Sequence, residues 1–460
     1  MIFKFVRIKK PKEEILSHIE QNVKKKQYYD DYVEIFEIDQ ASLSEDIWKF
    51  TPVEENELLT KIKNNSTCVL GDLAGIHRCL YTGFNEAYVV NDEIIRKQNL
   101  ERELVKPVLR GEDVRRWNIS WCGLYVIYPY RKINGKLVKA SIKEYPNIEK
   151  YLREFKRRLM SRWYIEKVVD DKTREEKWFE YADPRNFEQF ENVKILTPDI
   201  STRNNFVLDS KGYYCLNVIY AINPDTGKVN SEYLLGTLNS QLLEFYFKHI
   251  SPFISGGYYR YITQYLERLP IRLPKTPKEE TISENVARSV REILQLCQQN
   301  HFIKERIRRF PESYFENNLS FDRLANVGIV RLSKSSYDIS AKTIKTYPFK
   351  ELEYPFREVS RIILATEEHI DFYSEEIASY VLMVLKNLNK ITKRELLELK
   401  IPQQLHLKNL LSQYRKDKEQ IVKNEKAIEE SEKQIDDLIY KLCSISYAER
   451  RIVEDYLKKS

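Results

Sequence analysis

The sequence lacks any pairing of cysteines at metal-ligand or redox spacing. Its six, Cys68, Cys79, Cys122, Cys215, Cys297 and Cys443, lie far apart, with no Cys-x-x-Cys and no histidine at ligand distance. This argues against a zinc site and predicts reduced thiols in a cytoplasmic protein. No apolar stretch approaches the ~18 residues of a membrane span. The opening run MIFKFVRIKKPKEE breaks two short apolar segments with Lys and Arg, so neither a signal peptide nor a membrane contact is expected. Catalytic motifs are missing too. There is no Walker A, His-Glu-x-x-His or Gly-x-Ser-x-Gly string. An amino-group DNA methyltransferase needs a glycine-rich turn for S-adenosylmethionine and an Asn-Pro-Pro-aromatic string for the flipped base. The nearest approaches are Gly71 to Gly75 and Asn223-Pro224-Asp225, and neither matches. Asp171, Glu175 and Lys177 only loosely imitate the acids and lysine of a nuclease, and their spacing suits a solvated surface. No catalytic residue and no metal site is expected, which favours a binding protein over an enzyme.

What is present can fill large cores. Hydrophobic residues make up 42% of the 460 and include 31 Tyr and 20 Phe, which outweighs the disordering tendency of 32% charged residues. The length suggests two or three packed units. With 76 bases against 69 acids the net charge is only +7, so any basic surface has to be local.

The chain changes character along its length. Residues 1–45 read as a strand from Ile2 to Ile8, a helix from Pro11 to about Lys26, and a strand around Tyr32 to Ile38. From 46 to 271, short β-type runs such as CVLGDL, GLYVIYPY and VKILTPDI alternate with turns. Helices are expected there at Asn147 to Arg162 and Glu232 to Lys248. Pro270, Pro274 and Pro277 then mark a boundary. Residues 272–460 read as a helical spacer with an inserted mixed segment at 310–400. Ile282, Val286, Val290, Ile293 and Cys297 share one helical face. Leu407, Tyr414, Ile421, Ile428, Ile435 and Leu442 stand seven apart, on a helix of about 50 Å. Asp417, Asn424 and Ser431 occupy companion positions and tell against a simple zipper, so an antiparallel partner is expected in the Ile282 to Cys297 helix.

Three ordered constellations stand out: GDLAGIHRCLYTGFNEAYVV with RELVKPVLRGEDVRRW; YPNIEKYLREFKRRLMSRW with WFEYADPRNFEQFENVKILTPDIS; and YYCLNVIYAI with YLLGTLNSQLLEFYFKHISPFISGGYYRYITQYLERLPI. Together they resemble the TaqI-like C-terminal specificity domain of N6-adenine DNA methyltransferases and of fused type IIG restriction-modification enzymes. The resemblance covers roughly 46–271, and IDDLIYKLCSISYAERRIVEDYL looks like the closing segment of the same enzymes. It departs at Cys79, where the family pattern usually has glycine, and in lacking the methyltransferase domain, whose tail 1–45 resembles. It implies an α/β (α+β) target-recognition domain followed by a largely α-helical spacer with a long antiparallel coiled-coil-like helix pair.

The same likeness implies duplex DNA as a partner, together with a separately encoded or split adenine-specific methyltransferase. No cofactor is expected in this chain, with S-adenosylmethionine carried by the partner domain. The chain would direct that enzyme to its site, or alternatively be an enzyme or an inactive remnant of one. Bottom-up, Lys150, Arg153, Lys156, Arg157, Arg158 and Arg162 form a cationic stripe countered only by Glu154, suited to phosphates. Gly256, Gly257, Tyr258 and Arg260 combine a permissive backbone with an aromatic and a guanidinium group. Arg110, Arg115 and Arg116 could reach DNA, with Asp113 as a competing internal partner. Thr82, Gly83 and Asn85 shape a turn rather than touch DNA.

Overall fold

A computed structural model of the chain describes residues 2–8, 12–39, 51–185, 188–316, 321–339, 345–351, 357–365 and 368–459. It shows a mixed α/β domain followed by a helical region. The chain divides into two compact units, Met1–Leu294 with Glu430–Ser460, and Gln295–Glu429. The division does not fall at 45/46 or 271/272. Short tethers explain the second difference: Thr67 N–H donates to the Ile271 carbonyl at 2.8 Å, and Leu273 N–H to Thr67 Oγ1 at 2.8 Å. These bonds tie the proline segment into the first unit.

In the first unit, Ile2–Ile8 pairs antiparallel with Val33–Asp39, which also pairs with Gln27–Tyr29. Alternation in VEIFEI puts Val33 and Ile35 on one face and Phe36 and Ile38 on the other, and all four are buried. The helix between is Ile15–Asn22, while Pro11 and residues 40–50 lie outside the described residues. The centre is a four-stranded antiparallel sheet in the order Val207–Asp209, Lys194–Pro198, Ile219–Pro224, Ala74–Arg78. A second four-stranded sheet pairs Val105–Leu109 in parallel with Tyr214–Cys215 and antiparallel with Leu124–Ile127. Aromatic residues knit its core: Tyr128 stands against Tyr130, Tyr181 and Tyr214 at centroid distances of 5.2, 6.0 and 4.9 Å. Such contacts add about 0.5–1.5 kcal/mol each to area burial.

Two of the expected helices are split. In place of one helix from Glu232 to Lys248 there are Ser231–Asn239 and Gln241–Ile250. Ser240 ends the first and caps the second, its side chain accepting from Leu243 N–H at 3.3 Å. The orphan Gln241 N–H at that start donates to Asp436 Oδ1 at 2.8 Å. Tyr447–Lys459 then packs on Gln241–Ile250, with the Tyr456 ring 5.2 Å from Phe245 and 4.4 Å from His249.

Burial pushes the Asp436 carboxyl up to about 7, against the Gln241 N–H and Arg116, which pull it down. With the folded pKa above the unfolded one, the contribution of this group is fully present below about pH 4 and is lost as pH rises through 7. Asp436→Asn keeps the acceptor oxygen and removes the titration. The wild type should therefore lose stability relative to this variant between pH 4 and 8, by an amount on the order of a few kcal/mol. Urea midpoints of both proteins across that range check it, and parallel pH profiles would refute it.

The second unit carries its own four-stranded antiparallel sheet, in the order Gly328–Arg331, Glu368–Phe372, Arg357–Ala365, Lys345–Glu351. Helix Glu375–Leu385 packs on it, and Arg361 makes a two-point ion pair with Asp371 at 2.7 and 2.8 Å. Two long helices, Pro277–Glu316 and Gln404–Leu442, contribute their segments 295–316 and 404–429 to this unit. There they meet in antiparallel sense. Asn424 Nδ2 donates to Asn300 Oδ1 at 2.9 Å, Arg306 pairs with Asp417, and Ile303, Ile307 and Ile421 form one apolar cluster. The polar companion positions Asp417 and Asn424 are thus buried partners of the other helix, which also extends well beyond Cys297.

Candidate nucleic-acid interface

Three stretches far apart in sequence meet in the first unit. The short turn Gly111–Asp113 follows strand Val105–Leu109. The strand Ile200–Ser201 leaves the buried run Lys194–Pro198 and pairs with Tyr258–Arg260. Together they line an open cleft of 370 Å³ that includes Glu112, Arg115, Asp199, Thr202 and Tyr258. The paired glycines make the hairpin: Gly256 and Gly257 have φ of 86° and 82°, left-handed values that close the three-residue turn Ser255–Gly257 between Phe253–Ile254 and Tyr258–Arg260. That turn sets Tyr258, 43% exposed, at the cleft, while Arg260 is exposed on the same strand.

The arginines near Gly111 have different fates. Arg110 is tied to Glu112 at 2.6 Å and lies 3.7 Å from Asp113, whose carboxylate also accepts the Arg110 N–H at 2.7 Å. Arg116 is a structural strut. Its guanidinium pairs with Glu432 and donates to the Asn239 carbonyl at 2.6 Å, and Trp117 Nε1 also donates to Glu432. Arg115 is exposed and has no carboxylate partner among the described residues; its Nη1 donates to the carbonyls of Gly111 at 3.1 Å and Val114 at 2.7 Å. Burial holds the Asp199 carboxyl above its ordinary range, opposed by Arg78 and Arg260.

The cationic stripe is not one helical face. Pro146–Arg153 and Lys156–Met160 are separate helices, divided where the Glu154 and Phe155 N–H groups bond only three residues back, to the Tyr151 and Leu152 carbonyls at 3.2 and 3.0 Å, and the Phe155 ring packs on Tyr151 and Phe84 at 5.4 and 6.3 Å. Arg162 does not belong to the surface. It is buried, and its guanidinium donates to the carbonyls of Leu159, Thr82 and Trp178 at 2.8, 2.8 and 2.6 Å, holding the turn around Thr82 to this segment. Arg153 is held by Glu149 at 2.6 Å and Lys156 by Glu175 at 2.5 Å. Arg158 lies 4.6 Å over the Phe84 ring. Lys150, Arg157 and Arg158 are exposed and without an ion pair among the described residues, so they carry free positive charge on this surface. Thr82 and Asn85 shape a turn, with Thr82 Oγ1 donating to Asn85 Oδ1 at 2.7 Å.

Asp199, Thr202 and Arg78 were not singled out from sequence. The available signal was the polar string that directly follows the apolar run of the central strand. Glu175 faces Lys156 rather than a second acid, and no group of three metal-ligating side chains occurs among the described residues. Nor is any described helix long and apolar enough to cross a membrane.

The architecture is that of a mixed α/β domain followed by helices. Residues 106–271, the segment that contains the cleft and both basic helices, match the TaqI-like C-terminal specificity domain. The chain is 25% identical over 251 residues to the Type II methyltransferase M.BstVI of Geobacillus stearothermophilus, a match covering 53% of this chain and 42% of that protein. It is 28% identical over 173 residues to the Type II methyltransferase M.MjaIV of Methanocaldococcus jannaschii, covering 36% and 52%. The chain thus spans about two-fifths to one-half of the length of these relatives. Among solved structures, the Type I restriction-modification S subunit from M. genitalium aligns with a TM-score of 0.33 at 10% identity, over 80% of this chain and 94% of the subunit. The Type IIL restriction-modification enzyme MmeI in complex with DNA aligns with a TM-score of 0.34 at 12% identity, over 50% and 28%.

Proposed function

We propose that this chain recognises a specific duplex DNA sequence for a restriction-modification system and directs an adenine-specific methyltransferase, or a type IIG enzyme, to it. The observation that carries this reading is the meeting of Gly111–Arg115, Asp199–Thr202 and Tyr258 in one open cleft inside the matched segment. A cleft with a free guanidinium, carboxylates, a hydroxyl and an aromatic ring can address base edges, which carry sequence information; free lysine and arginine on nearby helices address phosphates, which do not. S-adenosylmethionine belongs on the partner in this reading, and the partnership is cytoplasmic. The antiparallel contacts of Pro277–Glu316 with Gln404–Leu442 support a coiled-coil-like spacer.

Selection from a randomised duplex library by the purified chain, followed by sequencing of the bound pool, tests the reading. Enrichment of one asymmetric motif is expected; retention of no duplex at any salt concentration refutes it. Lys150→Ala with Arg157→Ala should weaken binding about equally on all sequences and flatten the slope of log K against log salt by roughly two units. An unchanged slope removes these two residues from the interface.

A further inference from the structure

Resting on that reading, we infer that Arg115 is the residue that specifies one guanine, and that the cleft around it is built for the major-groove edge of a G·C pair. The argument starts from how the guanidinium is held. Nη1 carries two hydrogens, and both are used, one on the Gly111 carbonyl and one on the Val114 carbonyl. What remains is the side edge, Nε–H and Nη2–H, two parallel donors with no partner among the described residues and with their direction fixed by the backbone. That fork is the complement of guanine O6 and N7, the commonest arginine–base contact. Holding it in place before binding removes the rotamer entropy that a free surface arginine loses on contact.

A phosphate also accepts a fork, and the surroundings decide between the two. Glu112 and Asp199 line the same cleft. Both are acceptors, Glu112 with its charge already balanced by Arg110, so they offer a phosphodiester no donor, whereas they suit the N4 amino group of the cytosine paired to that guanine, which is a donor. The other arginines around Gly111 are not available in this way, since Arg110 is spent on Glu112 and Arg116 on Glu432 and Asn239.

The test compares wild type, Arg115→Ala and Arg115→Lys on the selected duplex, on all single-base variants of it, and on duplexes carrying 7-deazaguanine, which lacks N7. Arg115→Ala is expected to cut discrimination for guanine at one position by about 5- to 150-fold, with the salt slope unchanged. Arg115→Lys, a charge without the fork, should not restore it. Replacing that guanine by 7-deazaguanine should weaken the wild type and leave Arg115→Ala unaffected, a readout on the native protein that no folding defect can imitate. Equal weakening on every sequence with a flatter slope overturns the proposal in favour of a phosphate contact. Unchanged selection by Arg115→Ala overturns it while leaving sequence-specific recognition intact. A wild type that selects no sequence overturns both.

Discussion

Asp209→Ala is expected to destabilise the protein by about 3–5 kcal/mol, the cost of leaving one charge of a buried pair without its partner. Lys194 and Asp209 face each other across the antiparallel strands Lys194–Pro198 and Val207–Asp209, both side chains fully buried, with Nζ and Oδ2 2.5 Å apart. The ammonium also donates to the Phe190 carbonyl, and the carboxylate accepts from Lys211 and Tyr213 N–H at 2.8 and 2.9 Å. Removing the carboxylate strands the lysine in an apolar core and frees two backbone donors of the following turn. Lys194→Met in the same background should recover part of the loss, because the uncompensated charge is then gone while the turn stays unsupported. Urea denaturation followed by tryptophan fluorescence reads both effects. A loss below about 1 kcal/mol for Asp209→Ala contradicts the buried-pair account. The pair also bears on the site, since the strand it anchors runs directly into Asp199–Thr202.

Much of the architecture could be read from residue patterns because the pattern and the physics coincide there. Alternation marked Val33–Asp39, and Ile282, Val286, Val290 and Ile293 lie buried on one helical face as their spacing implies. Where the reading failed, a long-range contact had overruled local periodicity. Ser240 and Phe155 each sit in strings with acceptable helical spacing. Yet one is a capping residue whose following N–H meets Asp436, nearly two hundred residues away, and the other packs its ring on Phe84. Arg162 looked like one more cation in a basic run; only folding brings Thr82 and Trp178 carbonyls to it. The cleft was half legible. Arg115, Gly256 and Tyr258 stood out by residue type, but nothing in one sequence tells that Arg110 and Arg116 are spent on carboxylates while Arg115 is not. Asp417, Asn424 and Ser431 were read as interruptions of an apolar seam; the first two are specific polar contacts of that seam, a use of buried polar groups that fixes helix register.

Residues 1–460 alone are expected to transfer no methyl groups, and to confer target choice on a separately encoded or split adenine methyltransferase. The nearest approach to a cofactor turn, Gly71 to Gly75, folds as the end of a short helix, Leu70–Leu73, running straight into strand Ala74–Arg78. Asn223 and Pro224 end the neighbouring strand, paired with Gly75 and Ala74. Ala74 and Gly75 are thereby committed to a sheet ladder. Base flipping places the target adenine in a pocket built by a catalytic domain, so a recognition domain by itself can hold the duplex but cannot react with it. Two distinct consequences follow for cells that express the chain. With a partner methyltransferase co-expressed, N6-methyladenine should appear in the genome at one asymmetric motif, the motif that the purified chain selects in vitro. With Arg115→Ala in place, methylation should spread to sites differing at a single base while the total persists, because phosphate anchoring by Lys150 and Arg157 is untouched. Single-molecule sequencing of genomic DNA from strains carrying the chain alone, the methyltransferase alone, and both distinguishes these outcomes. Methylation by this chain alone would place the catalytic groups within it and overturn the division of labour; identical methylation by the partner with and without the chain would remove its role in target choice.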